Sequence, residues 1–269
     1  MGETVAVLGA GKMGEALLTA MLRSGRAAPS LLFTERHPDR AADISARLGV
    51  EAVTTTQAAE RADTLLVAVK PQETQALLDD LVPAVTARNL VISIVAGIPT
   101  STFEKRLAEG TPVVRVMSNT PVFVDEAMSA ISAGAHAGEE HLQRTEDLLR
   151  PVGKVIRLPE SQLDAVTALS GSGPAYFFYL VEAMIDAGIL LGLPRAIAAE
   201  LIVQTAYGSA VMLRESGEHP VQLREAVTSP GGTTIAAIRE LENHGVRAAL
   251  LSALEAARDR SQELAAGAG

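Results

Sequence analysis

The chain of 269 residues contains neither cysteine nor tryptophan, which excludes disulfides, thiolate chemistry and a Cys-ligated zinc site. Basic charge is also short: 23 Lys and Arg stand against 32 Asp and Glu, a formal net charge of −9. A nucleic-acid partner is not expected, because gripping a phosphate backbone needs a basic surface. His37, His136, His141, His219 and His244 are scattered without metal-ligand spacing, so no metal is expected. No uninterrupted apolar run reaches the ~18 residues of a membrane span, and the N-terminus enters a strand-like segment with no room for a signal peptide. The expectation is a soluble, cytoplasmic protein without a membrane partner. Low-complexity tracts are missing apart from an Ala/Gly tail at 265–269, expected to fray. What is present, 48% hydrophobic residues, is enough for a large core and two domains.

Thr4-Val5-Ala6-Val7-Leu8 is a short apolar, β-branched run followed at once by Gly9-Ala10-Gly11-Lys12-Met13-Gly14 and a helical pattern through Leu17, Leu18, Met21 and Leu22. Strand, glycine turn and helix in this order are the context of a dinucleotide-binding unit. Its first glycine makes the tight turn, its second admits a pyrophosphate, and its third allows close strand–helix packing. A second strand, Leu31-Leu32-Phe33-Thr34, leads to Glu35-Arg36-His37, where an adenosine ribose would lie. Two signals compete there. Glu35 favours the free 2′-hydroxyl of NAD, whereas Arg36, with His37 and Arg40, favours the 2′-phosphate of NADP; bidentate guanidinium pairing tips the reading towards NADP.

Further strands are expected at Thr64–Val69, Leu90–Ile94 and Val113–Met117, with helices between them. Such alternation predicts a mainly parallel sheet covered on both faces, with ligands at the carboxyl ends of the strands. Lys70 is the one cation at those ends, placed either to reach ribose and nicotinamide atoms or to begin a surface helix. Beyond Pro159 strand signals vanish, and Leu163–Leu169, Ala175–Gly188, Pro194–Leu213 and Val246–Leu264 read as helices. The fold class is therefore α/β, with a Rossmann-like NAD(P)-binding domain at 1–159 and an all-helical domain at 160–269. Four of the eight Phe and Tyr residues are consecutive, at Tyr176-Phe177-Phe178-Tyr179, in a helix apolar on nearly every side. A small domain cannot enclose such a helix alone, so it is expected to pack against a second subunit.

Near the C-terminus, Ser229-Pro230-Gly231-Gly232-Thr233-Thr234 opens onto a helical pattern starting at Ile235. One reading is a turn with a threonine N-cap. The other is a pocket for a small carboxylate, built from unpaired N–H groups, two glycines and flanking hydroxyls.

Gly9–Gly14, Val69-Lys70-Pro71-Gln72, Leu169-Ser170-Gly171-Ser172-Gly173-Pro174-Ala175-Tyr176 and Leu223 through Thr234 together resemble the pyrroline-5-carboxylate reductase family, in order and spacing, along essentially the whole chain. The resemblance implies reduction of the imine of 1-pyrroline-5-carboxylate to L-proline, the last step of proline biosynthesis, by NADPH or less efficiently NADH. It also implies a dimer through the C-terminal helices, commonly assembled into a ring of five dimers. Carried over, Gly9, Ala10, Gly11, Lys12, Met13 and Gly14 would hold the pyrophosphate and Arg36 the ribose phosphate. Thr55 would contact the cofactor, and Ala68, Val69, Lys70, Pro71, Ala96 and Gly97 would lie along the nicotinamide ribose. Ser229, Gly231, Gly232, Thr233 and Thr234 would bind the substrate carboxylate, with the Thr234 hydroxyl near the ring nitrogen, and Glu160 would lie near the substrate. The family pattern Met-Pro-Asn-Thr-Pro is replaced here by Met117-Ser118-Asn119-Thr120-Pro121.

A protonated imine is already electrophilic, so positioning and exclusion of water supply most of the acceleration. A threonine hydroxyl without a basic neighbour is a poor general acid, and the motifs identify no ionisable proton donor. Two alternatives differ in class. A related imine or β-hydroxyacid-type dehydrogenase would take a different substrate at the Thr234 loop; the acid dehydrogenases normally carry a lysine on the first long helix of the second domain, and 163–193 contains none. A non-catalytic dinucleotide sensor would bind NADPH without oxidising it.

Overall fold

The computed structural model describes residues 3–266; the last three residues of the Ala/Gly tail lie outside them. Eight strands form one sheet among the described residues: β1 (Val5–Leu8), β2 (Leu31–Thr34), β3 (Glu51–Ala52), β4 (Thr64–Val67), β5 (Leu90–Ser93), β6 (Val113–Met117), β7 (Ala127–Ala133) and β8 (Gly153–Arg157). Their order is β3-β2-β1-β4-β5-β6-β7-β8. The first six are mutually parallel, β7 runs antiparallel to β6, and β8 pairs parallel with β7. The strand order reverses direction between β1 and β4, the place where such sheets open a crevice for ligands.

β1, β4 and β5 are buried along their whole length, because helices cover both faces. Val5, Val7 and Phe33 point into one apolar layer with Leu17, Leu18 and Met21. Ala6, Leu8 and Leu32 point into the other with Leu65, Leu78 and Phe103. The connecting helices are α1 (Lys12–Arg23), α2 (Pro38–Leu48), α3 (Thr55–Arg61), α4 (Thr74–Leu81), α5 (Thr100–Glu104) and α6 (Glu139–Leu149).

The chain then becomes helical: α7 (Leu163–Val166), α8 (Gly173–Leu190), α9 (Arg195–Glu215), α10 (Pro220–Ala226), α11 (Thr233–Asn243) and α12 (Val246–Ala266). The fold has two compact units, one of the chain up to Ser172 with the end of α12 from Ala257, the other Gly173–Ala256. Hydrogen bonds account for this placement. Glu160 and Ser170 are tied to residues of the sheet domain, and Ser261 Oγ donates to Asp164 at 2.7 Å.

In the second unit α8 and α9 lie close because Gly188 faces Ala198: a Cβ at Gly188 would come within 2.8 Å of the Ala198 Cβ. Their other faces are bare. Phe177, Phe178 and Tyr179 are 68%, 69% and 71% exposed in the single chain. The stretch Glu160–Leu190 and the helix Arg195–Glu215 are long and apolar enough on average to cross a membrane by length and composition, although no apolar run in them is uninterrupted over that length. Scattered charges, such as Glu182, Asp186 and Glu200, interrupt the runs without cancelling the mean.

Candidate functional site

β1 ends at Leu8 and the chain turns at Gly9 with φ +98°, a conformation that side chains disfavour. Gly9 N–H donates to Thr34 Oγ1 at 3.1 Å, and Ala10 N–H to the Thr34 carbonyl at 3.0 Å. A Cβ on Gly9 would come within 2.8 Å of Val69 Cγ1, and one on Gly14 would overlap the Gly9 carbonyl oxygen. Both glycines are therefore required by packing. Gly11 is different: a Cβ there would meet nothing within 4 Å. Gly11 is also the N-cap of α1 and provides no side-chain cap, so the first N–H groups of that helix lack a side-chain partner beside an open cradle. An anion is favoured at such a terminus, and the residues present fit a pyrophosphate.

A groove of about 690 Å³ crosses the carboxyl ends of β2, β1 and β4. It brings together Gly9, Gly11, Arg36, Thr55, Ala68, Val69 and Lys70. Other expected contacts lie off its walls. Ala10 is fully buried, Met13 packs on the core, and Lys12 lines a separate hollow of about 330 Å³ with Glu15, Thr19 and Arg23. Pro71 opens a single 3-10 turn, while Ala96 and Gly97 belong to the loop after β5.

The competition at the end of β2 is decided by partners. Glu35 is only 10% exposed at its side chain; Oε1 accepts from His37 N–H at 3.1 Å and Oε2 pairs with Arg40 Nε at 3.3 Å. Arg40 in turn donates to the Ala10 carbonyl at 2.9 Å and to Glu15 at 2.8 Å. Neither is available to a ribose without breaking this network. Arg36 is 61% exposed and pairs with Glu73 at 3.1 Å, an exposed contact worth at most about 1 kcal/mol that a phosphate can displace.

Thr54, Thr55 and Thr56 all line the groove. Thr54 spends its hydroxyl on Gln57 N–H at 3.2 Å while Gln57 Oε1 accepts from Thr54 N–H at 3.0 Å. This reciprocal cap has a local signature, Thr-x-x-Gln, in the sequence. Sequence reasoning missed Thr34, Glu73, Thr100 and Arg115, whose roles come from long-range partners that no local motif encodes.

At the end of β6, Ser118 Oγ accepts from Ser129 Oγ at 2.9 Å, so the departure from proline is absorbed by a hydrogen bond. Asn119 Oδ1 accepts from Met128 N–H at 2.9 Å, and its Nδ2 donates to the Ser170 carbonyl at 3.2 Å. Residues 167–171 form one wide helical turn, with Ser172 N–H bonded five residues back to Thr167. Glu160 was expected near the substrate. Its Oε1 and Oε2 accept from Thr100 N–H and Thr100 Oγ1, each at 2.8 Å, and Arg115 reaches Oε1 at 3.2 Å.

In the second unit Gly231 takes φ +67°, and Gly232 N–H closes the turn on the Ser229 carbonyl at 3.1 Å. Gly232, not a threonine, is the N-cap of α11, and no side-chain cap is made. The leading N–H groups of α11, including those of Thr233 and Thr234, thus have no capping hydroxyl, the arrangement at which an anion is favoured.

A family model described as "Pyrroline-5-carboxylate reductase dimerisation" matches residues 160–264, and one described as "NADP oxidoreductase coenzyme F420-dependent" matches residues 4–97. A pyrroline-5-carboxylate reductase of Corynebacterium melassecola is 42% identical over 97% of this chain and 98% of its own. That of Methanosarcina acetivorans is 43% identical over 97% and 98%. Among solved structures, the Coxiella burnetii pyrroline-5-carboxylate reductase superposes with TM-score 0.91 at 34% identity, over 97% of this chain and 98% of that one. The Plasmodium falciparum pyrroline carboxylate reductase with NADP bound gives 0.88 at 26% identity, covering 98% of each.

Proposed function

The chain belongs to the pyrroline-5-carboxylate reductase family, and we propose that two glycine-capped helix ends divide its reaction, α1 holding the dinucleotide and α11 the substrate carboxylate. The enzyme is an NAD(P)H-dependent oxidoreductase that reduces the imine of 1-pyrroline-5-carboxylate to L-proline. The observation carrying the division of labour is that Gly11 and Gly232 are both N-caps without a side-chain cap. Each offers N–H groups to an anion, one to a pyrophosphate and one to a carboxylate.

When bound, the reduced nicotinamide supplies a hydride. The carbon of the protonated imine accepts it and the C=N π pair becomes the nitrogen lone pair, which gives the secondary amine directly. Gly9 and Gly14 keep the turn tight, Gly11 leaves room for the pyrophosphate, and Arg36 takes the 2′-phosphate. Thr55, Ala68, Val69 and Lys70 line the remainder of the cofactor groove, with Ala96 and Gly97 beyond it at the nicotinamide end. Ser229 and Gly231 through Thr233 shape the carboxylate loop. Thr234 is the catalytic residue of this scheme: its hydroxyl would hydrogen-bond the ring nitrogen of the substrate and hold the imine in one orientation for hydride transfer.

Self-association follows the same reading. The exposed Phe177, Phe178 and Tyr179 are proposed to be covered by a second copy; burying each side chain is worth about 1.5–3 kcal/mol. Dimers are proposed to assemble further into a ring of five, in the cytoplasm, without membrane or nucleic-acid partners.

The test is Thr234→Ala. Turnover of pyrroline-5-carboxylate is expected to fall on the order of tenfold or more, while NADPH affinity stays within about twofold. Parallel loss of cofactor binding overturns the division of labour.

A further inference from the structure

The contact between Glu160 and Thr100 is built from three distant segments. Thr100 opens α5 directly after the loop that follows β5, Arg115 lies on β6 in register with Ser93 of β5, and Glu160 follows β8. Both Glu160 oxygens are engaged by Thr100, one through the backbone N–H and one through the hydroxyl. Arg115 is 5% exposed and holds the same carboxylate. A guanidinium this deep is costly unless paired, and apolar side chains would hold the fold at lower cost.

What the pair holds is the loop 94–99. Ile94 N–H donates to the Val67 carbonyl at 3.0 Å, and Val95 and Ile98 are buried, which leaves Gly97 at φ +74° and an exposed Ala96 between them. Glu160 fixes the far end of this loop. The loop's place in the sheet gives that end a role. The groove runs from Arg36 at β2 through Gly9 and Gly11 at β1 to Ala68 and Lys70 at β4. With the adenosine phosphate at Arg36, the next strand in that direction is β5, so the reactive ring lies towards this loop.

We propose that Glu160 is a positioning residue for hydride transfer, acting through Thr100 to fix the loop 94–99 against the nicotinamide end of the cofactor. The proposal rests on the reductase reading above and on the direction of the cofactor in its groove.

Glu160→Gln, Thr100→Val and Thr100→Ser are compared with the full-length wild type. Thr100→Val keeps shape and the backbone donor but lacks the hydroxyl, and Thr100→Ser keeps both donors. Glu160→Gln is expected to lower kcat on the order of tenfold, and Thr100→Val to lower it less, with KM for pyrroline-5-carboxylate and Kd for NADPH within about threefold of wild type. Thr100→Ser is expected to restore the wild-type rate, and the double variant Glu160→Gln with Thr100→Val to be no slower than Glu160→Gln alone. A raised KM in Glu160→Gln with a silent Thr100→Val means direct substrate contact and overturns the proposal. Wild-type rates in both single variants overturn it too. A wild type that leaves NADPH unoxidised overturns the reductase reading, and the proposal with it.

Discussion

Asn119 caps the carbonyl of Ser170: its Nδ2 donates to Ser170 O at 3.2 Å and to Ser170 Oγ at 3.3 Å. The bond is needed because Pro174, four residues on, has no N–H to return to that carbonyl. The wide turn at 167–171 and the strand end at Met117 are thereby locked together, and a Cβ at Gly171 would overlap Met117 Cε.

Replacing Asn119 by Ala removes the cap and the acceptor for Met128 N–H together. The expected cost is about 1–3 kcal/mol, from a carbonyl and an amide left unpaired. Urea unfolding midpoints at one fixed protein concentration check this, since self-association makes stability concentration-dependent.

The glycines of the first turn separate by mechanism. Gly11→Ala is expected to keep the wild-type melting temperature yet weaken NADPH binding on the order of tenfold, because its methyl enters space open to the pyrophosphate. Gly14→Ala is expected to lose stability and cofactor affinity together, because its methyl overlaps the Gly9 carbonyl oxygen. Thermal melts and fluorescence titrations distinguish the two.

Arg36→Gln removes the exposed guanidinium proposed to meet the 2′-phosphate while leaving the Glu35–Arg40 pair intact. A charge-assisted contact of about 1.5–3 kcal/mol makes the expected loss of NADPH affinity about tenfold to a hundredfold. Binding of NADH, which lacks that phosphate, is expected to change less than about twofold. Paired titrations with both nicotinamides decide it.

Acid stability tests Glu3. Burial pushes its carboxyl pKa up, but hydrogen bonds from Thr64 and Arg144, with the charges of Arg144 and Arg26, outweigh that and hold it below the ordinary value of 4.5. A folded-state pKa below the unfolded one contributes stability at neutral pH that is lost as pH falls from about 4.5 through the folded value. Glu3→Gln is expected to be less stable at pH 7 and to show a shallower decline on acidification. An unchanged pH profile contradicts the assignment.

Much of this was written in local pattern. Val5–Leu8 with Gly9–Gly14 located the first strand and its glycine turn, and short aliphatic, β-branched runs located β1, β2, β4, β5 and β6. β3 escaped because it has two exposed residues, and β8 because Gly153–Arg157 opens on glycine and carries Lys154 and Arg157. β7, Ala-Met-Ser-Ala-Ile-Ser-Ala, is built from small residues with little strand preference and is held by its neighbours on both sides. In the site, the sequence left Glu35 and Arg36 competing. Only the partners Arg40 and His37 show that the carboxylate is spent and the guanidinium exposed. The Glu160 clasp, joining residues 60 apart in the chain, had no local signature at all.

The most direct measurement of the central claim uses NADPH carrying deuterium at the transferable position of its C4 carbon, incubated with the full-length enzyme and pyrroline-5-carboxylate. Mass spectrometry is expected to find one deuterium on the δ-carbon of the proline formed, in step with NADPH oxidation, and Thr234→Ala to slow label transfer while still binding the cofactor. Oxidation without label in proline, or no oxidation at all, contradicts hydride transfer between the two sites assigned above.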